Sequence, residues 1–179
     1  MLITNGIATT SRQTTSNDDA YAWVNTSAFK APSDNYEITV TVAELSFEQM
    51  ETEVLLRVTD TSSGYFCYEV LVNNGGGELV QINGGLGGRY VELAGTQFTI
   101  SGWTGTGDKI RARVTGTNPV RVQAWHAPAG NPTAFVSFID YSDSSSNRKQ
   151  SGQPGIGFYA ANAVAVSKKG WADFSVVAV

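Results

Sequence analysis

The sequence predicts an all-β fold: a two-sheet antiparallel sandwich of the jelly-roll type. Short runs of alternating or β-branched residues recur along the whole chain, and clusters of Gly, Asn and Ser separate them, a pattern typical of sandwiches and jelly rolls. Helical spacing is scarce, because the single candidate, residues 43–53, does not keep a steady helical period of apolar residues. The 179 residues contain no linker and no internal repeat, so we expect a single domain over residues 1–179.

The predicted strands follow this alternation in chain order. Residues 53–59 and 65–72 flank a turn rich in Thr and Ser, and we expect them to pair as a hairpin. A polar loop over residues 142–149 is expected to lie exposed at the surface. The other predicted strands are residues 36–42, 78–82, 90–93, 97–100, 108–114, 120–125, 135–141, 155–159, 163–167 and 174–179.

The composition excludes several classes of function. A net charge of −4 leaves no basic face to neutralise phosphates, so we expect no nucleic-acid partner. The single cysteine, Cys67, cannot form an intrachain disulfide, and we interpret it as a packed thiol within a strand. A single histidine, His126, excludes a multi-histidine metal centre. We expect no membrane partner, since no apolar run approaches the roughly 18 residues of a membrane helix.

Several segments together resemble the concanavalin A-like lectin/glucanase superfamily in its laminin-G-like jelly-roll form. They are residues 64–70 (GYFCYEV), 118–125 (NPVRVQAW), 151–159 (SGQPGIGFY) and 171–176 (WADFSV). The resemblance covers residues 36–179 and implies a concanavalin A-like sandwich, but it says little about the ligand. Relatives often begin with a strand that precedes the segment similar to residues 3–8 (ITNGIA). Here that strand is expected to be missing, so that the edge is short or a neighbouring chain supplies the strand.

Catalytic carboxylates are not recognisable in the sequence. Glucanases that resemble this chain need a glutamate-x-aspartate-x-x-glutamate motif, and retaining glycosidases hold two carboxyl groups about 5–5.5 Å apart. Glu51 and Glu53 have the spacing that places both on one face of a strand, but the central aspartate is absent. We interpret them as a solvated strand entry. Glu69 has no carboxylate two residues away on either side. We therefore expect no enzymatic activity.

Glycan binding is the better functional hypothesis. Sugars need flat aromatic faces for their C–H surfaces and fixed polar side chains for their hydroxyls. The strand over residues 120–125 places Arg121, Gln123 and Trp125 on one face. Arg57 and Tyr68 are expected to extend this surface, and Trp103, flanked by glycines, is expected to be exposed at its rim. The alternative interpretation is that Trp125 and Tyr68 pack between the two sheets.

Structural calcium is a further prediction. Calcium binds six to eight oxygen ligands from carboxylates and backbone carbonyls. Asp18, Asp19 and Asp173 are the candidate ligands, and related sandwiches often hold calcium near the chain ends. The alternative is that these aspartates are solvated acids in turns.

These observations predict a non-catalytic virion surface protein: a bacteriophage capsid decoration, head-fibre or tail component with a lectin-like fold. A composition rich in Thr, Ser, Gly and Asn and the lack of a recognisable signal peptide fit synthesis in the host cytoplasm. The expected partners are a capsid or tail protein, a glycan or cell-surface polysaccharide, and further copies of the chain in a homo-oligomer on the particle. The alternative is a carbohydrate-binding module of a secreted polysaccharide-degrading enzyme. A glucanase or lyase is the least favoured hypothesis.

Overall fold

The computed structural model of the chain describes residues 2–4, 7–9, 18–24, 31, 33–44, 50–73, 75–84, 90–93, 95–160 and 170–179. Within these residues the structure consists of strands and connecting turns, without a helix, as predicted. Consequently, none of the described segments is a helix that could cross a membrane. The strands are β1 (Leu2–Thr4), β2 (Ile7–Thr9), β3 (Asp18–Trp23), β4 (Tyr36–Glu44), β5 (Met50–Thr61), β6 (Gly64–Asn73), β7 (Gly76–Asn83), β8 (Tyr90–Glu92), β9 (Phe98–Thr99), β10 (Lys109–Thr115), β11 (Val120–Ala127), β12 (Val136–Asp143), β13 (Gln153–Ala160) and β14 (Gly170–Ala178).

The strands form two antiparallel sheets. Sheet A has the order β1-β2-β14-β4-β10-β11-β12, and sheet B has the order β3-β13-β5-β6-β7-β8, with β9 paired to β7. The chain passes from sheet A at β4 to sheet B at β5, returns at β10, and crosses twice more at β13 and β14. This topology confirms the predicted two-sheet jelly-roll sandwich. The predicted hairpin is β5 and β6, which pair directly. The predicted strand over residues 163–167 lies outside the described residues.

The core lies between the sheets because apolar residues alternate along the strands. In β10, Ile110, Ala112 and Val114 are buried while the residues between them are half-exposed. In the neighbouring β11, Val122 and Ala124 are buried against the same interior. Sheet B contributes Val54, Leu56, Val70, Val72, Leu79, Ile156 and Phe158 to this core. Each fully buried side chain of this kind contributes about 1.5–3 kcal/mol relative to an exposed one.

The edge beside β14 is formed by the first two strands of the chain. The structure pairs β14 with β2 through Trp171 and Ala8, and β2 pairs in turn with β1. The chain itself therefore places two short strands beside β14, formed by the segment around residues 3–8. A further strand supplied by a neighbouring chain stays a prediction. β1 and β2 pair antiparallel, with Leu2 opposite Thr9 and Thr4 opposite Ile7.

The polar segment over residues 142–149 differs from the prediction of an exposed loop, because Asp143, the last residue of β12, is buried. Asp143 is 1% exposed, and its carboxylate accepts hydrogen bonds from Tyr68, Gln81 and the backbone N–H of Ser145. Farther along, the Lys149 backbone N–H donates to the Tyr68 hydroxyl at 3.1 Å. A buried carboxylate needs such donors, so this segment is exposed only between its two anchored ends.

Candidate functional site: the outer face of sheet A

The outward side of β11 carries the predicted aromatic and polar row. Arg121 is exposed, and Gln123 and Trp125 are half-buried, while Val122 and Ala124 between them are fully buried. The strand alternation predicted from the sequence therefore holds for this row. Trp125 belongs to the outer face, so the alternative interpretation that it packs between the sheets is wrong.

An arginine from the neighbouring strand holds the Trp125 ring in place. Arg113 lies on β10 opposite Gln123, and its guanidinium carbon is 5.2 Å from the centroid of the Trp125 ring, within the range of a cation–π contact. The same guanidinium donates to Oε2 of Glu37 from Nε at 3.0 Å and from Nη2 at 2.6 Å. Glu37 faces Arg113 because β4 pairs with β10 in that register. The cation beside the Trp125 ring is therefore held by two hydrogen bonds to the Glu37 carboxylate.

A second arginine–carboxylate pair lies farther along the same face, with Arg121 four residues from Trp125 on β11 and Asp140 on the neighbouring β12. Arg121 donates to both oxygens of Asp140, at 2.7 Å and 2.5 Å, and Gln123 donates to the same carboxylate at 3.4 Å. The hydrogen bond from Arg121 holds the pKa of Asp140 below its usual range, so Asp140 is ionised at neutral pH. The paired carboxylate orients both donors of the β11 row.

We call this surface the arginine–tryptophan face: Glu37, Arg113, Arg121, Gln123, Trp125 and Asp140. Beside it, Arg111 forms an ion pair with Glu37 at 3.2 Å, and its guanidinium lies 3.7 Å from the centroid of the Phe135 ring. The sequence pattern does not predict Glu37, Arg113 or Asp140 as members of this face. The alternation of β10 would have placed Arg113 outward, but the partners of each arginine depend on the register between strands.

Arg57 does not belong to this surface, and the prediction that it extends the β11 row is wrong. The side chain is fully buried. A bulge causes this: Leu56 pairs with Tyr68 and Thr59 with Phe66, so that Arg57 and Val58 together oppose one residue, and Arg57 has a φ of 56°. The bulge turns the guanidinium into the interior, where it donates to the backbone carbonyls of Asp34, Gly116 and Lys149 at 2.8–3.1 Å.

Tyr68 lies between the sheets, as the alternative interpretation had it, and not on the binding surface. Its side chain is fully buried, and its hydroxyl donates to Asp143 at 2.5 Å. Burial raises the pKa of this hydroxyl, and the hydrogen bond to Asp143 raises it further. The alternation of β6 places Tyr68 inward with Val70, which explains why the predicted extension onto sheet B fails.

Trp103 is also away from the arginine–tryptophan face. It follows β9 in a glycine-containing turn, but it is half-buried and packs against the core. Its ring centroid is 5.5 Å from that of His126. His126 is 1% exposed, and its Nε2 atom lies 2.8 Å from Oδ2 of Asp108. The expectation of an exposed rim residue is therefore wrong. Glycine neighbours here allow a tight turn and do not lift the indole into solvent.

The predicted calcium ligands lie on different sheets. Asp18 and Asp19 belong to β3 in sheet B, although their side chains are outside the described part of the structure. Asp173 belongs to β14 in sheet A, is exposed, and accepts a hydrogen bond from Thr41 at 3.2 Å. Among the described residues there is no group of three or more His, Cys, Asp or Glu side chains placed to hold a metal ion. Calcium binding remains a prediction.

Two glutamates on the outer face of sheet B are buried, and for Glu53 this contradicts the expected solvated strand entry, whereas Glu51 is half-buried. Glu53 is 1% exposed and Glu69 is 2% exposed. Glu53 pairs with Leu71 and Glu69 pairs with Leu55, so the two glutamates are diagonal neighbours on one face. Cys67 lies on the same face and is fully buried, which confirms the packed thiol. Burial raises the pKa of this thiol, and the nearby Glu69 and Glu53 carboxylates raise it further.

No family model matches this chain, and no curated protein sequence matches it. Solved structures do resemble it. The carbohydrate-binding module CBM66 from Bacillus subtilis superposes with a TM-score of 0.51 at 11% identity, over 96% of this chain and 91% of that one. Sheep galectin-11, in complex with glycerol, gives a TM-score of 0.49 at 10% identity, over 89% of this chain and 98% of that one. The likeness to the module confirms the predicted lectin-like jelly-roll fold.

Proposed function

We propose that this chain is a non-catalytic, lectin-like protein that binds glycans on the arginine–tryptophan face. The observation that supports the proposal is the half-buried Trp125 ring on the outer face of β11. Arg113, held by Glu37, lies within cation–π distance of the ring, and Arg121, held by Asp140, follows on the same face of the strand. An aromatic plane flanked by oriented polar groups matches the needs of a sugar ring, whose C–H surface stacks and whose hydroxyls require directed partners.

The arginines retain donors for a ligand. A guanidinium has five N–H donors, and Arg113 uses Nε and one Nη for Glu37, as Arg121 does for Asp140. The remaining N–H groups are available for hydroxyl or carboxylate oxygens of a glycan. Because the ion pairs already fix the side chains, binding loses less side-chain entropy than it would with free arginines.

The charge state of this face favours binding over catalysis. A glycosidase needs a carboxylic acid that is protonated near neutral pH. The hydrogen bond from Arg121 lowers the pKa of Asp140, which suits an acceptor of hydrogen bonds and not a proton donor. This supports the proposal that the face binds a glycan without cleaving it.

The biological setting that we propose is the surface of a virion, where a capsid or tail protein would hold many copies of the chain. Repeated copies would turn weak sugar binding into useful avidity. A carbohydrate-binding module of a secreted polysaccharide-degrading enzyme would use the same face, and the fold fits both settings equally. Sedimentation of the chain separates them, since the virion role predicts a homo-oligomer and the module predicts a monomer.

The experiment that tests the binding function is a glycan-array screen of the purified chain, with Trp125→Ala and Tyr90→Ala compared in parallel. Tyr90 is a matched control because its ring is 49% exposed and lies on β8 in sheet B. We expect binding to a defined glycan that Trp125→Ala loses and Tyr90→Ala keeps. A folded chain that binds no glycan, or that binds equally after Trp125→Ala, would overturn the proposal. Repeating the screen with a chelator tests the predicted calcium.

A further inference from the structure

A cleft of about 550 Å³ lies at the corner where β3, β13 and β5 meet. The described residues that line it include Trp23, Val58, Asp60, Gly152 and Gln153. None of them belongs to the arginine–tryptophan face, which is on the other sheet. Glycan binding on that face therefore leaves this concave site without a role.

The cleft follows from a stagger between strands. β13 begins at Gln153, which pairs with Val58, while β5 continues through Thr59 and Asp60 beside β6. β3 ends at Trp23, which pairs with Gly155. The three strands therefore end at different points: β3 ends first, β13 reaches two residues farther and β5 farther still. Gly152 and Gln153 line the cleft together with Val58 and Asp60 from β5 and Trp23 from β3.

Gly152 allows the backbone just before β13 to lie close to β5. Gly152 has a φ of 139°, a conformation that side chains rarely adopt, and a Cβ at this position would lie 2.4 Å from the carbonyl carbon of Arg57. The backbone can therefore approach the bulge in β5 closely. The bulge also ends the regular pairing of β13 with β5, because the register shifts between Gln153 and Gly155.

The apolar wall of the cleft is an oriented aromatic ring. Trp23 is half-exposed, and it stacks on Tyr65 with ring centroids 6.1 Å apart and an angle of 24° between the planes. Tyr65 is itself 5% exposed, so it forms a fixed support. Val58, at 2% exposure, continues the apolar wall on β5. A flat, supported indole of this kind suits the C–H face of a sugar ring.

The polar groups supply both an acceptor and a donor. Asp60 is exposed at the end of β5 and offers a carboxylate, which can accept hydrogen bonds from adjacent hydroxyls or from an ammonium group. Oε1 of Gln153 accepts from the backbone N–H of Ala31 at 3.0 Å, which orients the amide so that its NH₂ group is the remaining donor. Among the described residues that line the cleft, Asp60 has the single formal charge.

We propose that this cleft is a second saccharide site, which takes one ring of a neutral or amino sugar and rejects a uronic acid. Trp23 stacks on the ring, Asp60 accepts from its hydroxyls or amine, and Gln153 donates to a ring or hydroxyl oxygen. The negative charge of Asp60 repels an anionic sugar. The arginine–tryptophan face has the opposite charge preference, since its arginines favour anionic groups. The proposal stands without the proposed function of that face.

The test is an NMR titration of the ¹⁵N-labelled full chain with glucose, glucosamine and glucuronic acid, followed by the matching galactose and mannose series. These sugars share a ring and differ in charge. Indole N–H signals of Trp23 and Trp125, assigned with Trp23→Phe and Trp125→Phe, report the two sites separately. We expect the Trp23 signal and the backbone N–H signals of Gly152 and Gln153 to shift with neutral and amino sugars and not with uronic acids.

Asp60→Asn is the decisive variant, because an exposed side chain at a strand end can change without unfolding the chain. We expect it to weaken amino-sugar binding at Trp23 by about fivefold or more and to remove the discrimination against uronic acids. Asp140→Asn, on the other sheet, is the matched control and should leave the Trp23 signal response unchanged. The proposal is overturned if no sugar in the series shifts the Trp23 signal, or if Asp60→Asn leaves the sugar preference intact. A response at Trp23 alone would support the cleft and count against the proposed function of the other face.

Discussion

The Tyr68 hydroxyl, in sheet B, donates a 2.5 Å hydrogen bond to Oδ2 of Asp143 at the end of β12 in sheet A. Gln81, also in sheet B, donates to the same oxygen at 2.5 Å, and the Ser145 backbone N–H donates to Oδ1 at 2.8 Å. One buried carboxylate thus joins the two sheets and the start of the following loop. This bond has a consequence for the behaviour of the fold in acid.

We expect the free energy of unfolding to fall in acid, partly because of Asp143. Burial opposes ionisation of this carboxyl, but the hydrogen bonds from Tyr68, Ser145 and Gln81 outweigh burial and hold its pKa below the usual value. A carboxylate with a lowered folded-state pKa stabilises the fold above the unfolded pKa of about 3.9, and this stabilisation is lost as the pH falls through the folded pKa.

Urea unfolding of the wild type and of Asp143→Asn across the acid range measures this effect. The variant should be less stable at neutral pH and should lose less stability as the pH falls. Asp108, whose pKa is also lowered, keeps part of the acid dependence in both proteins. Equal dependence on pH in the two proteins would show that Asp143 is not responsible.

Arg57→Lys should destabilise the fold by about 2–3 kcal/mol, because several backbone carbonyls would lose the charged donor that the buried guanidinium provides. Lysine has a point charge and cannot reach Asp34, Gly116 and Lys149 together as the guanidinium does. Arg121→Lys is the matched control, since its side chain is 51% exposed and its loss should change stability by less than about 0.5 kcal/mol. Chemical denaturation compares the two. Similar stabilities would contradict the role of Arg57.

Gly77→Ala should be strongly destabilising, whereas Gly130→Ala should be nearly neutral. A Cβ at position 77 would lie 2.0 Å from the carbonyl oxygen of Leu71, which is backbone and cannot swing away. A Cβ at position 130 would meet nothing within 4 Å. Relief of the clash requires strand movement, with a cost of at least about 2 kcal/mol. Thermal melts of the two variants check this, and a normal melting temperature for Gly77→Ala would be inconsistent with the packing of β6 against β7.

The two sides of β11 should separate stability from binding. Val122→Ala should lower the free energy of unfolding by about 2 kcal/mol, because Val122 is fully buried in the core. Trp125→Ala should cost less than about 1 kcal/mol, since the ring lies on the outer face. Glycan binding should be lost in Trp125→Ala and kept in Val122→Ala. The result would contradict the assignment of the two sides if Trp125→Ala unfolded the chain or if Val122→Ala abolished binding in folded protein.

Cys67 should resist alkylation until the chain unfolds. The thiol is buried, and burial together with the Glu69 and Glu53 carboxylates raises its pKa, so little thiolate is present at neutral pH. Iodoacetamide labelling followed by mass spectrometry, at increasing urea, measures this. Labelling should begin with the unfolding transition seen by circular dichroism. Rapid labelling in the absence of denaturant would indicate an opening of sheet B that the structure does not contain.

The local pattern predicted the sheets and one outward row of side chains, because strand alternation decides which side chains share a face. Arg121, Gln123 and Trp125 come from six consecutive residues, so no long-range information was needed. The partners Glu37 and Asp140 lie on other strands, and only the register places them beside the arginines. A sequence alone does not fix that register.

Arg57 shows why other predictions failed. Regular alternation would place it outward with Leu55, but one extra residue in β5 turns it inward. The local pattern does not predict the cleft beside Trp23 for a related reason. The cleft forms where β3, β13 and β5 end at different points, which depends on the register between the strands. Asp143 was assigned to a solvent-exposed loop because its charge suggested exposure, while its burial depends on donors that are more than sixty residues away in the chain.

The hydrogen bonds of the buried Arg57 side chain bear on which positions of the chain can change in sequence. Three of its acceptors, on Asp34, Gly116 and Lys149, are backbone carbonyls from three separate segments of the chain. A backbone carbonyl is the same for every residue type. The connections that carry the carbonyls of residues 34 and 149 can therefore change in sequence over evolution while they keep their place in the molecule, and mutational libraries at these two positions should accept diverse side chains as long as Arg57 is retained. Position 116 should stay glycine, because its φ is 72° and a Cβ there would lie 2.6 Å from the carbonyl oxygen of Pro119.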